Sequence, residues 1–176
     1  MMRTISADLV GFLKRRYRLD WRGIHGAGHW VRVRANGLRL ASLTGADPTV
    51  VELFAVFHDV CREDDGFDLE HGARSAELVL EVCDDLLGIG REQAELLSFA
   101  CRYHTHGRTE ADVTVQACWD ADRLDLGRVG IRPHPRYLCT PAARSSELID
   151  WAHGRSVRAG GAGRLRNPQS ARRGGR

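Results

Sequence analysis

Hydrophobic residues recur at three- and four-residue spacing along most of the chain. In the first such segment Leu9, Phe12 and Leu13 share one face, and Ser6 can accept a hydrogen bond at its N-terminus. A second segment, Gly28–Leu43, repeats this helical period. No segment alternates hydrophobic and polar residues as a half-buried strand does. The pattern therefore predicts an all-α protein.

The most hydrophobic segment, VVELFAVFHDV, follows Asp47-Pro48. An aspartate followed by proline is typical of an N-cap and a first helical position. Because this segment is apolar on nearly every side, we expect a buried central helix. Four further helices are predicted, over residues 69–87, 91–104, 114–126 and 142–153.

The net charge of +3 is a sum over unlike segments. Residues 58–125 carry six arginines and 17 acids, whereas residues 154–176 carry seven arginines and no acid. That last segment has six glycines and only two large apolar residues, Val157 and Leu165. We therefore expect one domain over residues 1–153 and a disordered Arg/Gly-rich tail over residues 154–176. The acidic body argues against long polyanions such as duplex nucleic acid as partners.

Three features of the sequence predict that the protein is cytoplasmic. No apolar run approaches the roughly 18 residues that a membrane helix needs. The positive charges near the N-terminus follow the apolar stretch, which is the reverse of a signal peptide. The five cysteines form no C-x-x-C pair, so we expect reduced thiols in a cytoplasmic protein that does not enter a membrane.

Two ionisable residues, His58 and Asp59, close the most apolar predicted helix. Burying them without partners would cost several kcal/mol, and metal ligation compensates buried histidine and aspartate directly. The alternative is a solvated helix C-terminus, where His58 would favour the helix dipole.

Four other residues shift the balance towards a metal site. His29, His71, His104 and Asp122 each lie on, or at an end of, a different predicted helix, with small or apolar neighbours at helical spacing. In helical bundles, cofactor sites form where side chains from several facing helices converge. Nitrogen and oxygen ligands without thiolates suit one or two divalent transition-metal ions, such as Fe, Mn, Zn or Co.

The assembled pattern resembles the HD-domain phosphohydrolase superfamily. The resembling segments are HGAGHWVRV around His29, FAVFHDVCR around His58, LEHGARSAEL around His71, CRYHTHG around His104 and DADRLDL around Asp122. The resemblance implies a compact HD-domain helical bundle with a metal site between helices. It selects Asp122 over Asp120, because the family pattern reads A-D-R-L.

The resemblance also implies the roles of the ligands. His29, His58, Asp59 and Asp122 would bind a first metal. His71 and His104 would bind a second, with Asp59 as the bridging catalytic carboxylate. The sequence contexts of His71 and His104 are similar to those in HD-type diadenosine tetraphosphate hydrolases.

The activity implied is metal-dependent hydrolysis of a phosphate ester or anhydride, with a small nucleotide as the expected substrate. Arg32, Arg62 and His106 are the candidate substrate-binding residues, and Arg62 stands where many relatives have lysine. His25, His134 and His153 are expected in loops or on the surface. Three alternatives remain: a di-iron oxygenase of the same fold, a non-catalytic nucleotide-binding module, and an interaction module that acts through the basic tail. The sequence leaves the oligomeric state open.

Overall fold

The computed structural model describes the backbone of residues 4–164 and the side chains of residues 4–158. Within that range the chain forms helices and no β-strand, which confirms the predicted all-α class. A short π-helical turn spans Cys83–Leu87, and short 3-10 turns span Leu126–Val129 and Pro135–Tyr137. The α-helices are α1 (Ala7–Arg16), α2 (Ala27–Thr44), α3 (Pro48–Phe57), α4 (His71–Val82), α5 (Arg91–Tyr103), α6 (Val113–Arg123) and α7 (Ser146–Arg164).

Helix α3 is the centre of the bundle, as its composition predicts. Asp47 caps it by accepting hydrogen bonds from the backbone N–H groups of Thr49 and Val50, and Pro48 occupies the first turn. Every hydrophobic side chain between Val50 and Phe57 is buried, because α2, α5 and α6 all pack against this helix. The residues that follow its last turn therefore emerge in the interior of the protein.

Helices α4 and α5 approach closely where α4 begins. A Cβ atom on Gly72 would lie 2.6 Å from the carbonyl oxygen of Cys101 and 3.3 Å from Nδ1 of His104. Only glycine permits this approach, because it has no side chain. The contact sets the start of α4, which carries His71, against the end of α5, which is followed by His104.

Helix α2 crosses α3 in a similar way at Gly37. A Cβ atom there would lie 2.3 Å from Cγ1 of Val51 and 3.4 Å from Cβ of Ala121.

We expect Gly37→Val to lower the free energy of unfolding by about 1–3 kcal/mol, since both neighbours are buried and cannot move aside. Urea denaturation would measure the loss. In the matched variant Gly11→Val, the nearest atom to the new Cβ is the end of the flexible Arg15 side chain, at 3.5 Å. That variant should unfold at the wild-type urea concentration, and an equal loss in both would contradict the packing argument.

The predicted end of the domain at residue 153 is wrong, because α7 continues to Arg164. The prediction of disorder therefore fails for residues 154–164, and residues 165–176 lie outside the described residues. Ser156 is fully buried, and a Cβ atom on Gly127 would lie only 2.2 Å from its hydroxyl oxygen. Arg155 donates a hydrogen bond to Oδ1 of Asn36 on α2 at 3.1 Å. Tertiary packing thus extends a helix whose glycine-rich composition favours disorder.

The five cysteines are unpaired. Cys101 and Cys118 are fully buried, and burial raises the pKa of each thiol well above its usual value. No helix in residues 4–164 combines the length and apolarity needed to cross a membrane.

Candidate metal centre

The end of α3 delivers His58 and Asp59 into the interior, where their exposed fractions are 0% and 2%. Nδ1 of His58 donates to the carbonyl oxygen of Phe54 one turn earlier, at 3.1 Å, and the Phe54 ring stacks on the imidazole. The backbone therefore holds the His58 ring, and its Nε2 atom faces the centre of the cluster.

One histidine pair lies against one oxygen of Asp59. Nε2 of His29, on α2, is 3.0 Å from Nε2 of His58. These two nitrogens lie 3.6 and 3.4 Å from Oδ2 of Asp59. Asp122, on α6, completes this half, with its Oδ1 atom 3.3 Å from Nε2 of His29. Four side chains, from α2, α6 and the end of α3, thus surround one point.

A second histidine pair lies against the other oxygen of Asp59. Nε2 of His71 is 3.0 Å from Nε2 of His104, and these nitrogens lie 3.2 and 3.6 Å from Oδ1 of Asp59. The Nδ1 atoms again point outwards: that of His71 donates to the carbonyl oxygen of Asp68, and that of His104 donates to the carbonyl oxygen of Cys101. The carboxylate of Asp59 therefore stands between two similar pairs.

The donor set fits metal ions well. In all four histidines an oxygen acceptor holds Nδ1, which assigns the proton to that nitrogen and leaves the Nε2 lone pairs facing one another. Two lone pairs 3.0 Å apart repel unless a cation lies between or beside them. Oδ1 of Asp122 is also buried and has no hydrogen-bond donor among the described residues. Groups that could hold a metal ion are His29, His58 and Asp59 on one side, and Asp59, His71 and His104 on the other.

The carboxylates of the cluster are ionised. Burial by itself would raise the pKa of Asp59, but the contacts with His58, His104 and His71 hold that pKa well below its usual value. Burial also opposes ionisation of Asp122, yet His29, His58 and Arg128 hold its pKa far below the usual range. A buried carboxylate and a partly buried one amid imidazoles favour a bound cation.

Asp125 adjoins the cluster, although it is not among the residues that the sequence predicts for the site. It is 1% exposed, and its Oδ2 atom accepts a hydrogen bond from Nδ1 of His29 at 2.7 Å. Arg32 donates to both oxygens of the same carboxylate, at 2.7 and 3.0 Å. A carboxylate behind a ligating histidine orients the ring and makes it a stronger donor. In the sequence, only the position of Asp125 three residues after Asp122 indicates that it could lie near the cluster.

We expect Asp125→Asn to weaken metal affinity by about 10- to 100-fold, since the amide accepts a weaker hydrogen bond from His29 and loses the charge that pairs with Arg32. Metal titration followed by calorimetry would measure this. The exposed Asp112 caps α6 and lies outside the cluster, so Asp112→Asn is the matched control. Equal metal affinities in the two variants would show that Asp125 does not support His29.

The three predicted substrate-binding residues have different partners in the structure. Arg32 donates from two of its nitrogens to Asp125. Arg62 donates from Nε to Oδ1 of Asp59 at 3.0 Å and from NH1 to the carbonyl oxygen of Asp64, so it orients the central carboxylate. His106 is exposed, and its ring lies against Tyr103.

Two aspartates two positions apart on α6 have different partners. Asp122 joins the cluster, whereas Asp120 accepts hydrogen bonds from the backbone N–H groups of Cys139 and Thr140. Asp120 therefore holds the segment before α7 rather than a metal. His134 is exposed, as expected, and His153 is half-buried.

His25 lies in the loop between α1 and α2, as expected, but it is buried there. This residue is 7% exposed, and its ring lies edge-on to that of His29 with 6.4 Å between centroids. Nδ1 of His25 lies 2.9 Å from Oδ1 of Asp65. The sequence predicts a loop around His25, and only the tertiary structure shows that this loop packs against the cluster.

A cavity of about 690 Å³ lies away from the cluster, between α1, α2 and α3. Its lining is mainly apolar and includes Trp21, Trp30 and Val56 but none of the clustered histidines or aspartates. The chemistry of the side chains, rather than the size of the space, therefore marks the candidate site.

Comparisons with known proteins agree with this architecture. No family model matches the sequence. The chain is 30% identical over 117 residues to the symmetrical bis(5'-nucleosyl)-tetraphosphatase of Staphylococcus aureus (strain NCTC 8325 / PS 47), a match that covers 57% of this chain and 58% of that protein. The chain thus matches less than two thirds of the length of this relative.

The structure is also similar to the crystal structure of a predicted HD superfamily hydrolase from an uncultured Thermotogales bacterium. The TM-score is 0.65 at 23% sequence identity, and the superposition covers 90% of this chain and 89% of the other. This likeness shows that the chain has the HD fold, which confirms the architecture implied by the sequence resemblance.

Proposed function

We propose that this protein is a metal-dependent phosphohydrolase that acts on a small nucleotide with one or two divalent transition-metal ions. One observation carries the proposal: the two oxygens of Asp59 face two separate histidine pairs, at 3.2–3.6 Å. A carboxylate in this position can bridge two ions. Paired ions held in this way are typical of enzymes that hydrolyse phosphate esters and anhydrides.

The clustered residues would form two ligand groups, and two neighbouring residues would position them. His29, His58, Asp59 and Asp122 would hold one ion, while Asp59, His71 and His104 would hold the other. Bound divalent ions would supply an acidified water and stabilise charge on the phosphoryl oxygens. Arg62 holds Asp59 in the orientation that serves both pairs, and Asp125 does the same for His29. Burial of the four rings keeps bulk water away from the ligands.

Two observations support a nucleotide as the substrate. The relative from Staphylococcus aureus is named as a tetraphosphatase of bis(5'-nucleosyl) compounds. The segment that carries most of the cluster, residues 58–125, has 17 acids and six arginines, so its field repels long polyanions such as duplex nucleic acid. A small nucleotide, whose phosphates can reach the metal ions directly, is repelled less.

Metal quantification of the purified protein, followed by a screen of nucleotides and dinucleoside polyphosphates, tests the proposal. We expect phosphate or nucleotide release that requires the metal and proceeds equally in air and under anaerobic conditions. His58→Ala should abolish it, whereas His134→Ala, which changes an exposed histidine, should leave it unchanged.

Other outcomes would contradict the proposal. Turnover that requires oxygen would identify a di-iron oxygenase. Nucleotide binding without turnover, at less than half an equivalent of metal, would identify a non-catalytic binding module. Full activity in His58→Ala would show that the cluster is not the active site.

A further inference from the structure

The guanidinium of Arg128 lies beside Asp122 with one of its nitrogens unused. The side chain is only 9% exposed, and Nε donates to the carbonyl oxygen of Ile24 at 3.1 Å. The NH1 atom is buried and has no hydrogen-bond acceptor among the described residues. An unsatisfied buried donor on a charged group costs free energy, and an acceptor atom on a ligand would remove that cost.

The neighbouring carboxylates do not satisfy this donor. NH1 lies 3.8 Å from Oδ1 of Asp122 and 4.0 Å from Oδ2 of Asp125, beyond hydrogen-bonding distance. Asp125 already accepts hydrogen bonds from His29 and Arg32. Asp122 directs the same Oδ1 atom towards His29. Arg128 therefore neutralises charge at this edge of the cluster while its NH1 group stays available.

The contact with Ile24 places Arg128 next to a buried imidazole. The next residue, His25, is buried beside His29 and is held through Nδ1 by Asp65. Burial lowers the pKa of this imidazole, and the charges of Arg62 and Arg128 act in the same direction. A cationic side chain and an imidazole thus flank the half of the cluster that His29 and Asp122 form.

We propose that Arg128 binds a phosphoryl oxygen of the substrate on the His29–Asp122 side of the metal centre. The proposal rests on the proposed phosphohydrolase function and names the residue that anchors the anion. Arginine suits this task because its charge-assisted N–H groups bind phosphate oxygens strongly. The tie to Ile24 fixes the guanidinium in advance, so little conformational entropy is lost on binding.

Binding of inorganic phosphate to the manganese-loaded protein, measured by isothermal titration calorimetry, tests this inference. We expect Arg128→Gln to weaken phosphate binding and to raise the KM for the nucleotide by roughly 10- to 100-fold, which is the loss of one charge-assisted hydrogen bond. Metal content and melting temperature should stay at wild-type values. Arg132→Gln, which changes an exposed arginine paired with Asp150, is the matched control and should bind phosphate as the wild type does.

Three results would overturn the inference: no phosphate binding by the wild type, wild-type phosphate affinity in Arg128→Gln, or a parallel loss of metal. If Arg128→Gln does not fold, Arg128→Lys replaces it, because lysine keeps the charge but has one nitrogen in place of the separate Nε and NH1 groups; wild-type affinity there would also overturn the inference. Phosphate binding that depends on Arg128 in a protein without hydrolytic activity would refute the proposed function alone. Hydrolysis with no effect of Arg128→Gln on affinity would refute the inference alone.

Discussion

Asp59→Asn is expected to lower the turnover number by about 10³-fold or more, because bound metal ions supply several kcal/mol of transition-state stabilisation and each 1.36 kcal/mol is a factor of ten. The substitution keeps the size of the side chain but removes its charge. An amide also presents one oxygen and one N–H₂ group, so it cannot face both histidine pairs with an acceptor.

The same substitution should change the metal content. Asp59 is the one residue shared by the two groups that could hold an ion. Elemental analysis of Asp59→Asn should therefore find at least one ion fewer per chain than in the wild type. The steady-state rate and the metal content are measured on the same preparation, with far-UV circular dichroism to establish that the helices remain.

The matched control is Asp85→Asn, an exposed aspartate in the turn Cys83–Leu87. It should retain wild-type activity and metal content. Retention of both by Asp59→Asn would show that neither ion depends on the carboxylate between the histidine pairs, and the proposed function would then be wrong.

Removal of metal should lower the melting temperature by about 5–10 °C at neutral pH. An ion present at 100 times its dissociation constant stabilises the native state by about 2.7 kcal/mol, and 1 kcal/mol corresponds to about 2–4 °C for a chain of this size. The physical reason lies in the two pairs of Nε2 atoms, each 3.0 Å apart, with their Nδ1 atoms already donating to oxygen. Without a cation these buried lone pairs face each other.

Scanning calorimetry of chelated and metal-reconstituted protein would measure this difference. It should shrink as the pH falls, because protons compete with the metal for the imidazoles. His58→Ala should show little metal-dependent shift, while His134→Ala should show the full shift. Equal melting temperatures with and without metal, in a protein that binds metal, would contradict the stabilising role of the centre.

Local patterns account for the helices that the sequence predicted correctly. Ser6 and Asp47 cap α1 and α3 through backbone N–H groups two or three residues away, so their signals are short-range. The burial of α3 follows from its hydrophobic composition. The location of His58 and Asp59 in the interior follows from their position directly after this helix in the sequence. The beginning of α4 was less predictable, because the prediction began at Leu69 whereas the helix begins at His71.

Long-range contacts explain what the sequence could not show. His29 and Asp125 are 96 residues apart, and Arg32 lies 93 residues from the same carboxylate. Their partnership depends on how α2 packs against α6. Arginine is abundant throughout the chain, so composition could not distinguish Arg62, which supports Asp59, from Arg128, whose NH1 group has no acceptor among residues 4–158.

The sequence by itself determined the all-α class, the buried central helix and the residue types able to hold metal, because helical period, capping and hydrophobicity act over a few neighbouring positions. Only the tertiary structure decided which of those residues meet, which arginines are already paired and where α7 ends. These outcomes depend on distances of a few ångströms between helices, and those distances are set by packing at positions such as Gly37 and Gly72.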